Sequence, residues 1–153
     1  MDVIINIPVS SVQYTTWLRT SYIGMSMVSD AKTPMVEEIE LGVDQEDAFV
    51  NLLDEATREV AKMFVSRQGD VTGTPFEYDG TNAIYRFREC EPYLTQADAL
   101  KSTLNEDVKN AIFAWVTYLW FTIKGEEAQA VALMSKYNKL ETDIQGNIHR
   151  LHD

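Results

Sequence analysis

An aromatic run in the second half of the chain, NAIFAWVTYLWFTIKG over Asn110–Gly125, limits the possible folds more than any other segment. Its apolar part, from Ala111 to Phe121, has about eleven residues, whereas a helix needs ~20 consecutive apolar residues to cross a bilayer. Charged or polar residues close both ends of the run. The run is therefore predicted to be a helix buried inside a protein, and no membrane association is expected.

This predicted helix is apolar on nearly every side. Ile112, Trp115 and Leu119 share one stripe with a period near 3.6 residues. Two further aromatic residues, Phe113 and Trp120, lie outside that stripe. A helix of this kind is buried on more than one side, so it is expected to pack against several helices or against a neighbouring subunit.

Two other helices are predicted from their apolar stripes, and glycines mark where helices end. The sequence DQEDAFVNLLDEATREV opens the first of them, and the second begins directly after Gly125. The one-residue break at Gly125 predicts an antiparallel helical hairpin. The predicted core, taken from the stripes of all three helices, consists of Phe49, Leu53, Val60, Phe64, Ile112, Trp115, Leu119 and Ile144.

The remaining segments are shorter. Asp79–Gly80 is a strong tight-turn signal next to an alternating strand pattern, which indicates a β-hairpin. The whole chain, residues 1–153, is predicted to be one mainly α domain, a small helical bundle with a C-terminal antiparallel hairpin. Its successive segments are an extended arm (1–9), a short helix with loops (10–43), a helix (44–67), a β-hairpin or loop (70–92), a short helix (94–104), a helix (106–124) and a final helix (126–152).

The N-terminal arm is strand-like but isolated, because the next good strand signal is about seventy residues away. Pro8 limits its ladder hydrogen bonds to those of an edge strand. We therefore expect the arm to lie over an adjacent subunit and to cover the extra aromatic face of the long helix. The predicted interface consists of Ile5, Ile7, Val9, Phe113 and Trp120.

The chain is acidic, with a formal net charge of −11. Residues 30–60 hold ten acidic residues against Lys32 and Arg58, a net charge of −8 for that segment. A surface of this kind repels phosphate, so specific nucleic-acid binding is not expected. A solvated helix face that aids solubility is the plainer interpretation of the same charges.

The sequence contains no pattern that predicts catalysis. It has no phosphate-binding glycine loop, no dinucleotide fingerprint, no HExxH and no cysteine pair. Cys90 is alone, and the two histidines, His149 and His152, lie at the C-terminal end, where fraying opposes a preorganised metal site. The chain is therefore not expected to be an enzyme or to hold a cofactor or metal.

The order of these features resembles a family of small helical proteins encoded among the structural genes of tailed phages. The features are the arm INIPV, the segment TSYIGMSM, the acidic helix start, the strand IYRFRE, the tryptophan-rich helix and GEEAQAVALMSKYNKL. The layout is similar to that of head–tail connector, or neck adaptor, proteins of phages that infect Bacteroides-type hosts.

That resemblance implies a structural virion protein without catalytic residues. It implies a ring of identical subunits, expected to be twelve-fold, which contacts portal and tail or neck proteins and surrounds the channel through which DNA passes. The protein would be located in the virion neck or tail region, and in the host cytoplasm during assembly.

Two other classes of function remain open from the residues alone. One is a helical protein–protein interaction or regulatory module that acts as a dimer. The other is a small-ligand-binding helical bundle with a pocket near Trp115, Tyr118 and Trp120.

Overall fold

The computed structural model describes residues 2–26, 41, 46–67, 75–88 and 97–152. The chain is mainly helical, with a small antiparallel sheet and a C-terminal helical hairpin. In chain order, the described elements are β1 (Asp2–Pro8), α1 (Val9–Ser26), α2 (Glu46–Ala61), a 3₁₀ helix (Lys62–Arg67), β2 (Phe76–Tyr78), β3 (Asn82–Arg88), α3 (Ala97–Ile123) and α4 (Glu127–His152).

The N-terminal segment is a strand of the chain's own sheet, which corrects the expectation of an isolated arm. The strand order is β1-β3-β2, and β1 pairs antiparallel with β3 from Asp2 opposite Arg88 to Pro8 opposite Asn82. The distance along the chain argued against this pairing. However, the entropic cost of closing a loop grows only with the logarithm of its length, so a partner eighty residues away remains accessible.

The predicted β-hairpin is present as β2 and β3, with its turn at Asp79–Gly80. Gly80 has φ +87°, a left-handed conformation that other residues rarely adopt. The Asp79 carboxylate accepts hydrogen bonds from the backbone N–H groups of Thr81 and Asn82, each at 2.8 Å. These bonds lower the pKa of Asp79. The rest of the 70–92 segment lies outside the described residues, including Cys90.

Helix α1 is longer than predicted, because its C-terminal part, Ser21–Ser26, was expected to be a loop. Gly24, Asp30 and Pro34 suggested the loop, and of these Gly24 lies inside the helix while the other two lie outside the described residues. The Thr20 hydroxyl donates to the carbonyl oxygen of Thr16 at 2.8 Å, and its oxygen accepts the backbone N–H of Leu41 at 2.9 Å. Hydroxyls that bond to the preceding turn allow threonine to be buried in a helix.

The predicted helices 94–104 and 106–124 form one helix, α3, over their described part. Asn105 was expected to cap a new helix, but it lies inside α3. Leu104 and Val108 are both fully buried on either side of it, so the apolar stripe continues across the predicted boundary. An N-cap residue begins a new helix only where the chain before it is not helical. Here the burial of residues on both sides of Asn105 favours one continuous helix.

Helices α3 and α4 form the predicted antiparallel hairpin. Gly125 takes φ +75° between them, as expected of a residue that ends a helix. Near this turn, Thr122 and Glu127 line the same groove. Further from the turn, the Lys136 ammonium lies 5.3 Å from the centre of the Phe113 ring. Further still, burial and then the charge of Asp143 raise the pKa of Asp107. Residues earlier in α3 thus lie beside residues later in α4, so the two helices run antiparallel.

Helix α3 is the centre of the domain. It packs against α4, α2, α1 and β1, which agrees with its apolar character on nearly every side. Among the predicted core residues, Trp115 and Leu119 are partly buried and pack against the core. The other six predicted core residues are buried: Phe49, Leu53, Val60, Phe64, Ile112 and Ile144.

Tyr85 of β3 joins the sheet to the helices. Its ring lies 5.2 Å from that of Phe64 and 5.2 Å from that of Phe76, measured between centroids. Its hydroxyl donates to the carbonyl oxygen of Thr57 in α2 at 2.9 Å. Burial raises the pKa of the Tyr85 phenol well above its ordinary value, and neighbouring Tyr137 adds to the effect.

This raised pKa predicts alkaline destabilisation. The phenol stays neutral to higher pH in the folded chain than in the unfolded one, so its contribution is complete below about pH 10 and is lost above it. We expect the free energy of unfolding in urea to fall as the pH rises above about 10. Tyr85→Phe should reduce that fall, whereas the same change at exposed Tyr14 should leave it intact. Equal curves for all three proteins would contradict the prediction.

Candidate functional site

The side chains that were predicted to face a neighbouring subunit lie in the chain's own core. Ile5 and Ile7 of β1 are 2% and 1% exposed, and Phe113 and Trp120 of α3 are each 4% exposed. Val9 is partly buried against the same core. The correction has a physical cause: α3 packs against α4, α2, α1 and β1, so Phe113 and Trp120 are buried without a second subunit.

The outward face of α1 carries an exposed aromatic pair that the sequence reading missed. Tyr14 is 61% and Trp17 40% exposed, and their ring centroids lie 6.2 Å apart. They are three residues apart in the helix, so they are neighbours on one face. The opposite face buries Val12, Thr16 and Thr20. The three-residue spacing of Tyr14 and Trp17, which places both rings on one helix face, was the sequence feature that could have predicted this pair.

A second apolar surface lies at the turn end of the helical hairpin. Ile123 and Val131 are each 66% exposed there. Next to them, an open groove of about 340 Å³ runs between α3 and α4. It is lined by Tyr118, Thr122, Glu127, Ala130, Val131, Met134 and Ser135.

The outer edge of β1 is a third surface. The N–H of Val9 donates to the carbonyl oxygen of Thr81 at 2.9 Å, so the odd-numbered residues of β1 bond to β3. The backbone groups of Ile4 and Asn6 therefore point away from β3. Pro8 falls on this outer side, where its missing N–H removes no bond to β3.

The described residues contain no group of three histidine, cysteine, aspartate or glutamate side chains that could hold a metal ion. None of the described helices is long and apolar enough to cross a membrane. The side chains of His149 and His152, and Cys90 as a whole, lie outside what the structure describes.

Comparison with protein-family models, with curated proteins and with solved structures finds no match for this chain.

Trp115, Tyr118 and Trp120, near which a ligand pocket was predicted, have different surroundings in the described structure. The Trp115 ring packs on those of Tyr118 and Tyr137, at centroid distances of 5.3 and 4.8 Å. Trp120 is buried, with the Lys124 ammonium 4.7 Å from the centre of its ring. Of the three residues, Tyr118 alone lines the hairpin groove.

Proposed function

We propose that this chain is a structural subunit of a tailed-phage virion, in a ring that joins the portal to the tail around the DNA channel. The naming of a phage neck rests on the order of the sequence features. The proposal of a ring rests on how the exposed apolar side chains are distributed over the fold.

One observation supports assembly into a ring. Large exposed apolar side chains occur on different elements, with Tyr14 and Trp17 on α1 and with Ile123 and Val131 at the hairpin turn. A two-fold dimer uses one patch that meets its own copy, whereas a closed ring needs two different patches that meet each other. Separate apolar surfaces of this kind favour head-to-tail contacts over a simple dimer.

The mass and shape of the assembled protein test this proposal. Negative-stain images with light scattering are expected to reveal closed rings, with a mass near twelve times 17.4 kDa. The variant Ile123→Asp with Val131→Asp should lower the assembled mass to that of a single chain, because it places charge in an apolar contact. The change Ser102→Asp, at an exposed position of α3, is the control and should leave assembly unchanged.

A mass of two chains would instead support the dimeric interaction module. A single chain at all concentrations, with the double variant indistinguishable from the parent, would contradict self-assembly through the hairpin turn.

A further inference from the structure

A small polar pocket lies where α4 passes the end of α2 and the 3₁₀ helix. Its volume is about 140 Å³, well below the ~300–1,000 Å³ of typical sites for drug-sized ligands. The pocket therefore suits one small group, such as the end of a side chain. It is lined by Glu59, Lys62, Met63, Tyr137, Glu141 and Gln145.

The side chain of Tyr137 is largely buried and lines this pocket together with Glu59 and Glu141. Tyr137 is 3% exposed, and its ring is held against Trp115. Burial raises the pKa of Tyr137, and the two carboxylates raise it further. Within the part of the chain that the structure describes, no group forms a hydrogen bond with the Tyr137 hydroxyl. The hydroxyl is therefore open to a group that enters the pocket.

The negative charges of Glu59 and Glu141 differ in whether a cation pairs with them. The Glu59 carboxylate accepts a hydrogen bond from the Lys62 ammonium at 2.7 Å, but the Lys62 side chain is 72% exposed. Glu141 forms no ion pair with any described residue. A largely exposed pair such as Glu59–Lys62 contributes little to stability, so a competing cation displaces Lys62 at little cost.

We propose that this pocket binds the guanidinium group of an arginine side chain from a partner protein. Glu59, Glu141 and the side-chain oxygen of Gln145 offer acceptors, and the Tyr137 hydroxyl adds another. A guanidinium presents five donors in a planar fork, which serves several acceptors at once, whereas an ammonium is a compact point charge. The net charge of −11 attracts a basic partner before contact.

This inference is independent of the proposed ring. Binding of arginine by a single folded chain would support the pocket whether or not the protein assembles, and ring formation would say nothing about the pocket.

The experiment is an NMR titration of the full chain, observed at the backbone amides around residue 137. The probes are N-acetyl-arginine amide, N-acetyl-lysine amide and the neutral N-acetyl-glutamine amide. We expect saturable shifts with the arginine probe, with an affinity about tenfold higher than for the lysine probe and no saturation with the neutral one.

Variants identify the groups responsible. Glu141→Gln should weaken arginine binding about tenfold, and Tyr137→Phe, which keeps the ring in place, should weaken it several-fold. Glu106→Gln removes the same charge from an exposed position of α3 and should leave binding unchanged. Three results would overturn the proposal: no saturation with arginine, equal binding of arginine and lysine, or equal loss in Glu141→Gln and Glu106→Gln.

Discussion

A chain that lacks residues 1–8 is expected not to fold. The deletion removes β1, and with it two nearly fully buried isoleucines, Ile5 and Ile7, and the whole ladder with β3. Burial of each isoleucine contributes about 1.5–3 kcal/mol, and the lost ladder exposes Ala83 and Tyr85 as well. The sum is comparable with the whole stability of a domain, about 5–15 kcal/mol. Circular dichroism of the deleted chain should therefore reveal loss of cooperative unfolding.

Single substitutions in β1 give a graded form of the same test. Ile5→Ala should lower the free energy of unfolding by about 2–5 kcal/mol, because it leaves a cavity in the core. Ile4→Ala changes the same residue type one position earlier, on the exposed face of the strand, and should cost less than about 1 kcal/mol. A deleted chain with parental helix content and a parental unfolding midpoint would show that β1 is dispensable for the subunit.

The second large effect is expected for Trp120→Ala. Trp120 is buried between α3 and its neighbours, so truncation should cost about 3–5 kcal/mol. For a chain of this size, that corresponds to a fall in the melting temperature of roughly 6–20 °C. Thermal unfolding followed by circular dichroism at low protein concentration measures the effect on the single chain.

Trp17→Ala is the matched control, since it removes the same side chain from an exposed position of α1. It should change the melting temperature of the single chain by no more than a few degrees. If instead Trp120→Ala melts with the parent and alters only assembly, then Trp120 belongs to a subunit interface, as its position off the helix stripe first indicated.

The elements that follow a single local rule were predictable from the sequence. The stripe of α2 places Phe49, Leu53 and Val60 on one face, and all three are buried. The hairpin of α3 and α4 follows from Gly125, which adopts the left-handed conformation that the helix end requires. In both cases local propensity and burial favour the same structure.

Elements that depend on distant partners were not predictable in this way. No local signal places Ile5 opposite Tyr85, because that pairing depends on the closed fold. Helix α1 was underestimated because Gly24, Asp30 and Pro34 suggested a loop from Ser21 onward, whereas the helix continues through Gly24 to Ser26. The false boundary at Asn105 arose because asparagine can cap a helix but is also tolerated inside one. The burial of Leu104 and Val108 on either side of it favoured a continuous helix.

The surfaces were less predictable than the core. Helical periodicity identifies the main apolar stripe of a helix. It does not show which of the residues beside that stripe are covered by other elements of the fold. Phe113 and Trp120 were therefore assigned to an interface, whereas the exposed pair Tyr14 and Trp17 was overlooked. The polar pocket joins Glu59 to Glu141 across the fold, and no sequence spacing brings those two residues together.

The pairing of β1 with β3 also has a consequence during protein synthesis. Ile5 emerges from the ribosome eighty residues before its partner Tyr85 emerges. At about 5–20 residues per second, this apolar strand waits roughly 4–16 seconds without its neighbour. During that interval its edge is open to other chains, so the nascent protein depends on dilution or on chaperones until residue 88 has emerged. Refolding of the complete chain avoids this delay, and its rate is then governed by the long-range pairing alone.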